Sequence, residues 1–101
     1  MEKEKFKEWL IKEKGQEKKV ASDIISRLKR IMRELDCNID DEYQLDRFEN
    51  LLSFFENNGN NEKMKKRDTS FPIGKYHIGV YRYAIRKYSE FKDLDKWVFK
   101  E

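Results

Sequence analysis

Lys19, Ser22, Ser26, Lys29, Arg30 and Arg33 lie within one short stretch of the chain, spaced one to four residues apart. Recognition of a polyanion is the chemistry these residue types share. Ammonium and guanidinium groups neutralise backbone phosphates, and hydroxyls donate hydrogen bonds to phosphate oxygens. On a helical wheel of about 100° per residue, with Ile24 at zero, all six fall between about 140° and 240°, and no carboxylate falls among them. The nearest acids, Asp23 and Glu34, sit at the edge of the wheel near about −100° and −80°. A face that needs only solubility gains about 0.2–0.5 kcal/mol from each Glu–Lys pair one turn apart. Excluding acids forgoes that gain and adds like-charge repulsion, and phosphate binding supplies a reason for doing so.

Lys75, Arg82, Tyr83, Arg86 and Lys87 repeat the theme more weakly, with Tyr76 beside them. Tyrosine next to arginine suits sugar and groove contacts, or base stacking where a strand is open. Lys65, Lys66 and Arg67 add a short basic run. The opposite sign gathers at Asp40, Asp41, Glu42, Asp46 and Glu49. Such a cluster could face a basic protein partner, although acids near a helix start also favour the helix itself by about 0.3–1 kcal/mol.

Groups suited to catalysis are sparse. His77 is the single histidine, and Cys37, the single cysteine, has no histidine near it in sequence and reads as a packing residue. Asp40-Asp41-Glu42 lacks the spacing of a calcium loop, and Gly74 with Gly79 makes no phosphate-cradling motif. The sequence therefore predicts no catalytic residues, no metal site, no cofactor and no enzyme.

Helices must position these groups. Apolar residues recur every three or four positions, which predicts helices over about 4–14, 17–35, 42–57 and 74–92. Phe6, Trp9 and Leu10 mark the first. Val20, Ile24, Leu28, Ile31 and Leu35 mark the second, and Leu45, Phe48, Leu51, Leu52 and Phe55 the third. The fourth carries Ile78, Tyr81, Ala84, Ile85, Tyr88 and Phe91. Residues 62–72 read as a loop closing at Pro72. Residues 93–101 read as a C-terminal extension or the start of a linker, with Leu94, Trp97, Val98 and Phe99 available to cap the core. The expected class is all-α: one four-helix domain over residues 1–92.

With 101 residues there is room for one such domain, and an aromatic share of 14% gives it a core, which argues against disorder. Runs as short as Trp9-Leu10-Ile11 exclude a membrane span, and the charged start Met1-Glu2-Lys3-Glu4-Lys5 is no signal peptide. One cysteine makes a reducing, cytoplasmic setting the expectation. The net charge of +3 is a cancellation. Residues 1–35 carry eleven basic and seven acidic groups, residues 36–58 one against seven, and residues 62–92 nine against three. Two basic segments thus flank an acidic one.

Three stretches together carry a family resemblance: Phe6-x-x-Trp9-Leu10, then Ser22-x-x-x-Ser26-x-Leu28-x-x-Ile31, then Tyr81-Arg82-Tyr83-Ala84-Ile85-Arg86-Lys87-Tyr88-x-x-Phe91. This pattern resembles the SAM-like core-binding domain of tyrosine recombinases and phage integrases, and also the N-terminal helical domain of some restriction endonucleases. The resemblance covers about residues 4–92. It implies an orthogonal four-helix bundle that clamps duplex DNA without catalysing a reaction, its second and fourth helices against backbone and grooves. Family members usually continue into a catalytic domain, which leaves this chain as an N-terminal domain or a small free-standing, phage-type relative. The long basic segment at 58–72 departs from the family pattern. Two functions follow as expectations. One is a DNA-binding module whose contacts are mainly to the backbone. The other is a protein-interaction module, an inhibitor or adaptor of a host nuclease or nucleoprotein complex, acting through the acidic segment.

Overall fold

A computed structural model describes the backbone of residues 1–98 and the side chains of residues 1–94. α1 (Lys3–Lys12) turns Phe6, Trp9 and Leu10 inward. It stops where Gly15 takes φ +68°, a value costly for any residue with a Cβ, and the Gln16 N–H reaches back to the Leu10 carbonyl at 3.0 Å. α2 (Lys18–Glu34) buries Ala21, Ile24, Ile25, Leu28 and Ile31 along one side. α3 (Ile39–Asp46) begins at Asn38, whose side-chain oxygen accepts from the N–H groups of Asp40 and Asp41 at 3.0 and 3.1 Å.

The expected third helix over 42–57 is broken. α3 ends at Arg47 and Phe48, both left-handed at φ 54° and 71°, and the chain restarts in a new direction as α4 (Glu49–Ser53). A 3-10 turn over Glu56–Gly59 follows, with Asn57 and Asn58 also left-handed. Two left-handed residues other than glycine cost about 1–2 kcal/mol each. The kink in return seats Phe48 at zero exposure, 5.5 Å from the Tyr43 ring and 6.4 Å from the Tyr88 ring. Leu45, expected on the core stripe, is 73% exposed, because α3 turns Ile39 and Tyr43 inward.

The segment expected as a loop over 62–72 contains α5 (Glu62–Arg67). The Asn61 side chain caps it by accepting from the Met64 N–H at 2.9 Å, and Met64 anchors it in the core. α6 (Lys75–Val98) runs past residue 92, so the first residues of the expected extension are helical. Leu94 is 46% exposed; the side chains of Trp97 and Val98, and Phe99 altogether, lie outside the described residues.

The chain is thus all-helical among the described residues, with six α-helices around one core, and α2 and α6 share its largest helix–helix contact. Two aromatic groups fill the ends of that core. Phe6, Trp9, Tyr88 and Phe91 meet where α1 crosses α6, and Phe55, Phe71 and Tyr81 meet at the other end.

Polar contacts at the rim tie α3 to α6. The Tyr88 hydroxyl donates to Asp40 at 2.6 Å, the Tyr43 hydroxyl donates to Asp93 at 2.5 Å, and Arg47 pairs with the same Asp93 carboxylate. Burial and the Asp93 carboxylate push the Tyr43 phenol up to about 12. That lies above the value of about 10 for an unfolded tyrosine. The stability this hydroxyl contributes is therefore complete below about pH 10 and is lost as pH rises from there to about 12. Urea denaturation across this window should show wild-type stability falling, and Tyr43→Phe should fall less steeply. Equal slopes would contradict the assignment.

Candidate nucleic-acid interface

α2 lies against α1 and α6, and its opposite side faces solvent. Lys19, Ser22, Ser26, Lys29 and Arg33 are all exposed there. Helical geometry alone puts these side chains on one surface, because the core stripe through Ile24, Leu28 and Ile31 fixes the rotation of the helix. At its edge the Asp23 carboxylate is 3.8 Å from the Lys19 ammonium.

A neighbour that the wheel could not supply joins this face. The Lys3 ammonium, at the start of α1, stands beside Lys29 and holds the Lys29 ammonium below the ordinary lysine range, and Glu4 counteracts this only weakly. Both groups are in solvent, where such repulsion is screened, yet its sign is informative. Lys3 of α1 and Lys29 of α2 are thus neighbours at the surface, with Glu4 also nearby.

Arg30 belongs to the same arc of the wheel but turns inward. Its guanidinium donates to the Tyr81 hydroxyl at 2.8 Å and to the Ser70 carbonyl at 2.9 Å, and lies over the Phe71 ring at 5.1 Å and the Tyr81 ring at 5.7 Å. Ser70 in turn donates its hydroxyl and N–H to Glu34 at 2.7 and 3.1 Å. Those two donors hold the Glu34 carboxyl below the usual carboxylate range, against its partial desolvation. Arg30 is therefore a joint between α2, α6 and the segment between α5 and α6. Beside it a shallow recess of about 290 Å³ is lined by Asp23, Ser26, Arg27, Arg30 and Tyr81.

The second basic set divides in the same way. Lys75 and Arg86 are exposed. Arg82 is half-buried and donates to the Phe55 carbonyl at 3.3 Å and to the Asn58 side chain at 3.5 Å. The Tyr83 hydroxyl accepts from Gln16 at 2.9 Å. Lys87 pairs with Glu90 at 2.8 Å, which holds its ammonium above the ordinary range, and lies over the Tyr83 ring at 5.3 Å. Arg86 opens onto a groove of about 460 Å³ that Arg47, Leu52, Ser89 and Asp93 also line. On α5, Lys65 and Lys66 point to solvent, whereas Arg67 donates to the Leu35 carbonyl at the end of α2.

The acidic cluster is divided between internal contacts and solvent. Asp40 is engaged by the Met1 α-amino group at 2.8 Å, the Tyr88 hydroxyl and Lys92. Burial pushes its carboxyl up, and those partners together bring it below the usual range. Asp46 accepts from the Asn50 N–H at 3.0 Å and so starts α4. Glu42 is half-buried, and Asp41 and Glu49 are exposed.

Burial pushes the half-buried Cys37 thiol up to about 11, so at neutral pH it is protonated and a poor nucleophile. Among the described residues no three His, Cys, Asp or Glu side chains gather as a metal would require, and no helix is long and apolar enough to cross a membrane.

Sequence reasoning missed Lys3 and Arg27. Neither lies in the arc defined by the α2 wheel, and Lys3 reaches the face from another helix. Compared with protein-family models, curated proteins and solved structures, the chain matches none.

Proposed function

We propose that this protein is a non-catalytic DNA-binding module that grips the phosphate backbone of a duplex through the outer face of α2. One observation carries the reading: Lys19, Lys29 and Arg33 share a solvent-facing surface of α2 with Ser22 and Ser26. Phosphates neutralise these cations, and serine hydroxyls at the same surface orient the helix without reading bases. Arg30, Arg67 and Arg82 are assigned to internal contacts. Lys65, Lys66, Lys75 and Arg86 remain available for flanking phosphates. The family resemblance in the sequence points to the same activity, in a recombinase or restriction-type targeting domain.

If Lys3, Lys19, Lys29 and Arg33 each neutralise one phosphate, log affinity falls with log salt at a slope of about −3.6, that is about −0.9 per phosphate. Between about 50 and 200 mM salt this amounts to a loss of roughly a hundredfold. Fluorescence anisotropy with a labelled duplex measures it, and Arg33→Ala should flatten the slope by about 1 while weakening all sequences alike. Absence of duplex binding at low salt overturns the reading. A competing reading takes the exposed Leu45, with Asp41 one turn before it, as the anchor for a basic protein partner. It gains the stronger claim if a stoichiometric protein stays bound after nuclease treatment and is released by Leu45→Arg.

A further inference from the structure

From Thr69 to Ser89 the chain contains no acidic residue. At the head of this stretch, Tyr76 is 88% exposed and Ile73 54% exposed, while Lys75 and His77 are also in solvent. A tyrosine so placed buries almost none of the 150–250 Å² or so that an aromatic side chain typically contributes to a core. Folding alone gives no reason for an aromatic ring at that position.

The backbone beneath the ring is fixed. The Gly74 N–H donates to the Asn58 carbonyl at 3.0 Å, and Phe71 and Ile78 on either side are buried. Gly74 takes φ +135°, which turns the chain into α6. Arg30 and Glu34 hold Ser70, which ties this segment to α2 one residue from Arg33. The segment that leads to the ring is therefore tied through Ser70 to α2, the helix that carries the proposed phosphate-binding face.

The geometry points to a stacking contact: Tyr76, with Ile73 and Lys75 beside it, takes an unpaired nucleobase, so the module binds most tightly where a single strand adjoins duplex. This inference rests on the DNA reading above. Charge favours a nucleic acid over an acid-poor protein surface, since a lysine flanks the ring and no carboxylate lies within the stretch. An open base fits better than insertion between intact pairs. Side chains that wedge into a closed stack are mainly apolar, and a phenol there would lose its water partners, whereas on an open base the hydroxyl stays wet. Every base has a π-face, so no sequence preference is required.

The test compares three probes by fluorescence anisotropy: an intact duplex, the same duplex with a short single-stranded overhang, and that overhang carrying 2-aminopurine. Wild type should bind the overhang probe about 5- to 100-fold more tightly than the intact duplex, and should quench the 2-aminopurine. Tyr76→Ala should lose both effects while its affinity and salt slope on intact duplex stay unchanged; Tyr76→Phe should keep both. Circular dichroism should show both variants folded, as expected for so exposed a position. Equal wild-type binding to duplex and overhang overturns the inference and leaves the backbone reading intact, as does a preference that survives Tyr76→Ala. Failure of wild type to bind either probe overturns the backbone reading and the stacking contact with it.

Discussion

Replacing Phe48 with alanine should destabilise the protein by about 3–5 kcal/mol, the range for removing a fully buried phenylalanine. Phe48 has zero exposure and packs against Tyr43 and Tyr88. Its burial is also what sustains the left-handed pair Arg47 and Phe48. An alanine there keeps the unfavourable backbone and loses the compensation, so α3 and α4 should lose their fixed relation. For a domain with about 5–15 kcal/mol in total, the melting temperature should drop by more than about 10 °C. Leu45→Ala, two residues before the kink at an exposed site, should change stability by less than about 0.5 kcal/mol. A loss below about 1 kcal/mol for Phe48→Ala would show that something else holds the kink.

The second large effect concerns binding. The double variant Lys29→Glu with Arg33→Glu replaces two cations on the α2 face with two anions. If α2 grips duplex DNA as proposed, affinity at about 0.1 M salt should fall at least a hundredfold, about 2.7 kcal/mol, and the salt slope should flatten by about 1.8. Stability should change little, since both positions are in solvent. Arg30→Ala gives the opposite signature. Its guanidinium serves Tyr81 and Ser70, so unfolding free energy should drop by about 1–3 kcal/mol while the salt slope stays unchanged. If Arg30→Ala flattened the slope and the double reversal did not, the interface would lie at the recess by Tyr81 and not on the outer face.

Much of the helical core is legible in the residues themselves. Ile24, Leu28, Ile31, Ile78, Ala84 and Tyr88 carry a regular period, and all are buried, because a sustained apolar stripe has one way to leave water. The third helix failed at Arg47 and Phe48 because nothing local marks the break. Neither residue favours left-handed backbone, and the reason for the turn is a pocket built by Tyr43 and Tyr88, the latter forty residues away in sequence. α5 was obscured by its lysines, although Asn61 three residues before Met64 is a cap signal that composition masks.

At the site, the wheel placed five of the six α2 positions on the solvent face. It failed at Arg30, which stands at the very edge of the arc, near about 240°. There the outcome depends on what the adjacent helix presents, and α6 presents an aromatic hydroxyl. Lys3 was invisible for the converse reason, since a wheel contains only its own helix.

The joint at Arg30 has a consequence for the kinetics of association. One guanidinium bonds Tyr81 of α6 and Ser70 of the preceding segment, so the fold itself aligns α2 with α6. The conformational entropy of aligning them is lost on folding and not on meeting a ligand. If α2 and Tyr76 bind nucleic acid as proposed, the spacing between backbone phosphates and the stacked base has to match one already set by the fold. Discrimination should then appear as faster dissociation of ill-fitting ligands, with association rates nearly constant among them.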